Sequence, residues 1–340
     1  MGTPPAARAV GTGASVLAAI GRTPLVELSR VTSGLDGRVV AKLEYLNPGG
    51  SKKDRIALRM VEDAEANGAL RPGQTIVELT SGNTGTGLAI VCAVKGYPFV
   101  AVMSAGNSTE RARMMRALGA EVILVDQQQG SLDGHVSGDD LALVEQVASA
   151  VAVEREAFRA DQFHLAGNPS AHEDGTAAEL WEQTGGDVDA FCEFVGTGGT
   201  FAGISRFVKS KNPAIACYIV EPDRAAVLAG QSLVEPAHRI QGGGYSMATL
   251  PLIDPSLVDG YLSFIARGLV PDDAPMPVAV TTVLGLVGSF IGGLVGLALS
   301  HHDAQDGVMR PPGILGSILG AAAALIVYRI VTGQNRGRVV

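Results

Sequence analysis

Six lysines stand in this chain of 340 residues, at Lys42, Lys52, Lys53, Lys95, Lys209 and Lys211, and two of them have the setting of a reactive amine. Lys52 and Lys53 follow Asn47-Pro48-Gly49-Gly50-Ser51 at the predicted start of a helix. There the positive end of the helix dipole disfavours an ammonium and lowers its pKa, and an uncharged amine can attack a carbonyl carbon. Lys95, Lys209 and Lys211 fall at predicted helix C-termini, where a cation is favoured and solvated, which makes them poor nucleophiles. Residue chemistry alone does not separate Lys52 from Lys53, and an exposed lysine pair on a first turn is the plain alternative.

Two glycine-rich turns supply anion-binding geometry. The run TIVEL leads into Thr80-Ser81-Gly82-Asn83-Thr84-Gly85 and a predicted helix from Thr86 to Lys95, and DAFCEFV leads into Gly196-Thr197-Gly198-Gly199-Thr200 and FAGISRFVKS. Each reads as a strand, a tight turn and a helix N-terminus, where unpaired N–H groups and the dipole attract a phosphate or a carboxylate. Neither matches a nucleotide fingerprint, since G-x-x-x-x-G-K-[ST] is absent and G-x-G-x-x-G spacing is not met. Taken singly, each turn is equally well explained as structural.

The elements that must hold these groups follow from the apolar runs. Val39–Leu43, Thr75–Leu79, Phe99–Met103, Glu121–Val125, Val188–Val195 and Ile215–Val220 alternate with helix-length amphipathic segments, which predicts α/β architecture with mostly parallel sheet. A helix is predicted over Ser51–Asn67, capped by a Ser51/Asp54 box, and another over Thr109–Leu118, closed by Gly119. Cys92, Cys192 and Cys217 are odd in number and widely spaced, and read as buried free thiols rather than a disulfide framework or zinc site. No metal is predicted, the His301-His302 pair reading as a polar turn. A formal net charge of -8 without a basic run argues against nucleic acid as a partner.

Charged residues make up only 18% of the chain, against about a quarter in ordinary soluble proteins, so apolar residues must be concentrated somewhere. Residues 277–300 are uncharged and would extend about 36 Å as a helix, and 311–328 about 27 Å, enough for a two-span membrane hairpin over 277–331. Gly288, Gly292 and Gly296, like Gly316, Gly320 and Ala324, recur every fourth residue and give each helix a small-residue face. Arg329, Arg336 and Arg338 follow the second span, against Arg310 alone in the turn, which predicts a cytoplasmic basic tail at 332–340. The amino-terminal stretch is a poor secretory signal. The expectation is a cytoplasmic domain over 1–265, a linker over 266–276 and a multi-pass anchor in the cell (inner) membrane, with the lipid bilayer as partner.

Read together, KLEYLNPGGSKKDRIA, TSGNTG, GTGGT and VEP…AAVLAG…HRIQGGGYS, with IGRTPLVEL ahead of them, resemble the cysteine synthase and cystathionine β-synthase family over roughly residues 14 to 262. The resemblance implies a fold type II pyridoxal-phosphate enzyme, tryptophan-synthase-β-like, with two α/β subdomains, the smaller at about 44–157. It implies Lys53 as the catalytic, cofactor-bearing lysine, with Lys52 replacing a usually small or apolar residue. Gly196, Thr197, Gly198, Gly199 and Thr200 would cradle the cofactor phosphate, and Asn83 would hydrogen-bond the pyridine 3′-oxygen. Thr80, Ser81, Thr84 and Gln162 would hold the substrate α-carboxylate. The implied activity is β-replacement on an activated serine, O-acetylserine and sulfide giving cysteine and acetate, by a possible homodimer.

Family members continue past the position of Tyr261 with elements that supply a partner for the pyridine nitrogen, so the fold is expected to be truncated there, with Ser263 as a substitute by residue type alone. The hairpin resembles the transglycosylase-associated membrane protein family. The alternatives are a membrane protein carrying an inactive pyridoxal-phosphate-fold remnant, or an activity of the cystathionine β-synthase or serine/threonine dehydratase type.

Overall fold

Residues 14–264, apart from 31, 35–36, 129–135, 137, 235–242 and 244–246, are described by a computed structural model. The chain divides into two units, Met1–Ile265 and Ala266–Val340. The second unit holds the expected linker, hairpin and basic tail, and all of them lie outside the described residues.

The described chain begins with an antiparallel pair, β1 (Leu25–Glu27) and β2 (Val40–Lys42). It continues through α1 (Lys53–Ala66), β3 (Ile76–Leu79), α2 (Asn83–Lys95), β4 (Phe99–Ser104), α3 (Thr109–Ala117), β5 (Glu121–Val125), α4 (Gly138–Glu154) and β6 (Phe158–Arg159). These strands form a parallel sheet in the order β5-β4-β3-β6. After α5 (Gly167–Ala171), a π-helical turn over His172–Ala177 and α6 (Ala178–Thr184) come β7 (Ala190–Phe194), α7 (Gly199–Lys211), β8 (Ala216–Pro222) and β9 (Gly260–Phe264). The last three strands form a second parallel sheet, β7-β8-β9.

Every residue of β4 is buried, because helices cover both faces of its sheet. Ala57, Val61, Leu88 and Met115 pack with Phe99, Ala101 and Met103 on one side, while Val144 and Ala148 of α4 pack with Val77, Val100 and Val102 on the other. A strand covered twice reads as a continuous apolar run, which is why periodicity alone located it. In the second sheet Phe201, Ile204 and Val208 of α7 pack on Cys217 and Ile219 of β8. The expected α/β architecture is present, and each of the six apolar runs overlaps a strand, with β4 and β8 extending past their runs to Ser104 and Pro222.

Several expectations need correction. Helix α1 begins at Lys53 rather than Ser51, and the Ser51/Asp54 box does not form. Ser51 Oγ accepts the Lys53 N–H at 3.1 Å, while the Asp54 carboxylate accepts the N–H of Gly49. The turn closed by Gly50 N–H to Asn47 O brings Gly49 back over the helix start, where it takes the place the box reserves for the Ser51 amide. Cys92 and Cys217 are buried, but Cys192 is exposed on β7, and all three are free.

The expected anchoring of a cytoplasmic domain to the inner membrane is also corrected. A span needs about 20 apolar residues, and no helix among the described residues is long and apolar enough to cross a membrane. The longest, α4, has 17 residues and begins with Asp139 and Asp140 in its first turn.

Candidate active site

Helix α1 presents Lys53 at its first residue, and α7 presents the Gly196–Thr200 turn at its own start. The two meet, with Lys53 Nζ 3.5 Å from Thr197 Oγ1. The Lys53 side chain is partly exposed along its length, but its nitrogen lies deep enough that desolvation pushes its pKa down to about 7, helped by the neighbouring Lys52 cation and opposed by Glu193. The lowered pKa expected from the helix dipole is therefore present with burial as its main cause.

The other lysines are engaged elsewhere. Lys42 pairs with Glu179 at 2.8 Å, Lys95 with Glu65 at 2.8 Å and Lys209 with Asp259 at 2.7 Å; Lys52 forms an ion pair with Glu193; and Lys211 lies 5.1 Å from the Phe207 ring centroid. Among the described residues Lys53 alone faces neither a carboxylate within ion-pair distance nor a ring.

No side chain caps α7, so its first N–H groups, which have no partner within a helix, are open to an external anion. Gly198 holds a left-handed φ of 87°, and a Cβ on Gly199 would lie 1.9 Å from Asn168 Oδ1, so the turn admits no larger residue there. Asn168 is fully buried and donates from Nδ2 to Thr197 Oγ1 at 2.9 Å and to Gln162 O at 2.6 Å, which leaves its Oδ1 buried without a partner. On the far side of the turn Thr200 Oγ1 lies 3.2 Å from His172 Nε2, and His172 Nδ1 lies 2.9 Å from Thr176 Oγ1. His172 opens the π-helical turn, a local widening that often marks functional sites. Burial and the Lys52, Lys53 and Arg55 cations hold its pKa well below the usual histidine value, so the ring is neutral and adds no charge beside an anion site.

The second turn lies at the end of β3. Thr84 donates to Gln162 Oε1 at 2.7 Å, and Gln162 Nε2 donates to Glu78 Oε1 at 3.3 Å. Glu78 is buried, and desolvation pushes its pKa up to about 8 although Arg159 Nε lies 3.0 Å from its other oxygen. Thr80 braces the turn, its hydroxyl oxygen accepting the Gly85 N–H at 2.9 Å while keeping its own proton to donate, and the Ser81 carbonyl accepts from Arg111 Nη1 at 3.3 Å. Asn83 is exposed at the first position of α2. Asn168, which bonds both Thr197 and the Gln162 carbonyl, ties the two turns into one connected network. Ser263, considered from sequence as a pyridine-nitrogen partner, donates to Asp223 Oδ1 at 3.1 Å at the end of β9.

A buried, uncharged-capable amine next to an uncapped helix start lined by threonine hydroxyls suits a coenzyme that joins a phosphate to a reactive carbonyl. The orphaned Asn168 oxygen against Gly199 marks how closely that turn is shaped. Sequence reasoning missed Asn168, His172, Glu78 and Arg159. Asn168 precedes a proline in Gly-Asn-Pro and reads as an ordinary turn, and nothing in the residue pattern singles out the other three.

A family model described as "Pyridoxal-phosphate dependent enzyme" matches residues 16–267. The chain is 45% identical over 226 residues to Cysteine synthase 3 of Caenorhabditis elegans, covering 66% of this chain and 64% of that protein. It is 39% identical over 251 residues to Cystathionine beta-synthase of Rattus norvegicus, covering 72% of this chain and 43% of that one. It thus spans less than two thirds of either relative. In three dimensions it is similar to O-Acetyl Serine Sulfhydrylase isoform 3 from Entamoeba histolytica, with TM-score 0.69 and 34% identity over 78% of this chain and 76% of the other. The family match ends at residue 267, and nothing in these likenesses supports the resemblance of 277–331 to a transglycosylase-associated membrane protein.

Proposed function

The chain belongs to the pyridoxal-phosphate-dependent enzyme family, in its cysteine synthase-like part, and we propose that it catalyses β-replacement on an activated serine, converting O-acetylserine and sulfide into cysteine and acetate. The observation that carries this reading is Lys53, the one lysine without an ionic or ring partner among the described residues, placed 3.5 Å from the Thr197 hydroxyl at the open start of α7.

In this proposal the first N–H groups of α7, with the Thr197 and Thr200 hydroxyls and Gly196, Gly198 and Gly199, grip the coenzyme phosphate, and Asn83 reaches the pyridine 3′-oxygen. Bound there, the coenzyme would supply an electron sink for the electron pair left at the substrate's α-carbon. Lys53, uncharged in about half of the molecules at a pH equal to its pKa of about 7, would hold the coenzyme through its side-chain nitrogen and, once released, would serve as the base for the proton on the substrate Cα. Thr80, Ser81, Thr84 and Gln162 hold the α-carboxylate, so that the Cα–H bond points at the lysine nitrogen. The Cβ–O bond breaks with acetate leaving, sulfide forms the Cβ–S bond, and Lys53 returns the proton to Cα. Gln162 is supported from behind by Glu78, which accepts from its amide nitrogen and leaves Oε1 to Thr84. The relatives' printed names, cysteine synthase and O-acetyl serine sulfhydrylase among them, support the choice of substrate. A homodimer belongs to the same proposal.

The test is a product assay on the full chain supplied with pyridoxal phosphate and O-acetylserine. Cysteine forming with sulfide is the expected result. Cystathionine as the faster product with homocysteine, a keto acid without any second substrate, or no product in all three mixtures overturns the assignment.

A further inference from the structure

Two lysines stand side by side at the start of α1, and the site has to use only one. Lys52 is the residue just ahead of the helix, and its ammonium is taken by the carboxylate of Glu193 on β7, three residues before the glycine turn. The pair is largely shielded, with side chains 30% and 16% exposed. Lys53, one residue on, has its nitrogen 3.5 Å from the hydroxyl of Thr197 and no ion-pair partner among the described residues. The groups whose charge acts on Lys53 are Lys52 and Glu193, and His172, on the π-helical turn packed against α7, feels both lysine charges and is itself neutral.

We propose that Glu193 is a positioning residue that selects Lys53 as the cofactor-bearing amine, by engaging the neighbouring Lys52 from β7 and holding that second nitrogen off the coenzyme carbonyl. The inference rests on the reading that Lys53 bonds the cofactor. In the selected step the Lys53 nitrogen, having lost its proton, forms the bond to the carbonyl carbon, and the carbonyl oxygen leaves as water. Lys52 carries the same chemistry in its side chain, and an unrestrained lysine one residue away competes for the same carbon. Glu193 also opposes Lys52 electrically. Beyond desolvation, the cation at Lys52 pushes the Lys53 pKa down, and the Glu193 carboxylate offsets part of that push.

The experiment treats the full chain with pyridoxal phosphate and borohydride, digests it, and maps the labelled lysine by mass spectrometry across a pH series. Wild type is expected to carry the label on Lys53. In Glu193→Gln the share on Lys52 should rise about tenfold, and the midpoint pH for labelling Lys53 should fall, because the group that raised it is gone. In Lys52→Met the same midpoint should rise by about half a unit or more, because the cation that lowered it is gone. Glu193→Asp should restore labelling to Lys53 alone. An unchanged lysine preference in folded Glu193→Gln overturns the proposal. So does an unmoved midpoint in Lys52→Met, which serves if the glutamine variant does not fold. Failure of the underlying reading looks different: wild type itself is then labelled on Lys52, on another lysine or on none.

Discussion

Replacing Lys53 with methionine keeps the side-chain length and removes a group whose protonation differs strongly between folded and unfolded chain, while the other shifted groups of the site, Glu78 and His172, stay in both proteins and drop out of the comparison. In the fold its pKa is about 7 against an ordinary 10.5. Between those values the unfolded chain binds more protons than the folded one, so stability rises with pH through that window. The full difference of 3.5 units corresponds to a ceiling of about 5 kcal/mol at 1.36 kcal/mol per unit. Part of the side chain reaches the surface, where water screens the charge, and an expected effect of about 1–2 kcal/mol is more realistic. Urea unfolding of the cofactor-free full chain at pH 7 and pH 9 measures it. Lys53→Met should be the more stable protein at pH 7 by about 1–2 kcal/mol, and wild type should recover part of that gap by pH 9 and the remainder only above the ordinary lysine value of 10.5. Parallel pH profiles for the two proteins would refute the claim that the Lys53 nitrogen is desolvated.

Other substitutions probe the frame around the amine. Gly199→Ala drives a methyl to within 1.9 Å of Asn168 Oδ1; it should cost about 1–3 kcal/mol in thermal unfolding and weaken pyridoxal phosphate in equilibrium binding, and a neutral result contradicts the described turn. Arg55 bonds Glu44 at 2.7 Å and Glu179 at 2.6 Å with its side chain 5% exposed. Arg55→Met strips the Glu44 carboxylate of its ion-pair partner and leaves Glu179 to Lys42 alone, and should destabilise by about 3–5 kcal/mol in urea, a loss below about 1 kcal/mol counting against the network. Gln162→Leu breaks the bonds to Thr84 and Glu78, and the KM for the amino-acid substrate should rise about tenfold with the cofactor still bound, an unchanged KM arguing against a carboxylate site there.

Much of this was legible in the residues because it is local. The apolar run of β4 and the strand–turn–helix passages at Thr80–Gly85 and Gly196–Thr200 are written in consecutive positions, and the structure places strands and helices there. The choice between Lys52 and Lys53 was not legible from the helix dipole, which acts on both alike; it depends on Glu193, 141 positions away in sequence. Asn168 and His172 were missed for the same reason, since their roles arise only when α5 and the π-helical turn pack against α7. The Ser51/Asp54 box failed because the Pro48–Gly50 turn offered Asp54 a nearer amide at Gly49. The uncharged stretches at 277–300 and 311–328 led sequence reading to a membrane anchor, an inference made from composition without any contact to check it.

The central claim concerns one nitrogen, and visible absorbance tests it most directly. Pyridoxal phosphate added to the full chain should give a band near the visible edge in wild type and in Lys52→Ala, and none above free coenzyme in Lys53→Ala. A band that survives the loss of Lys53, or disappears with Lys52, contradicts the account.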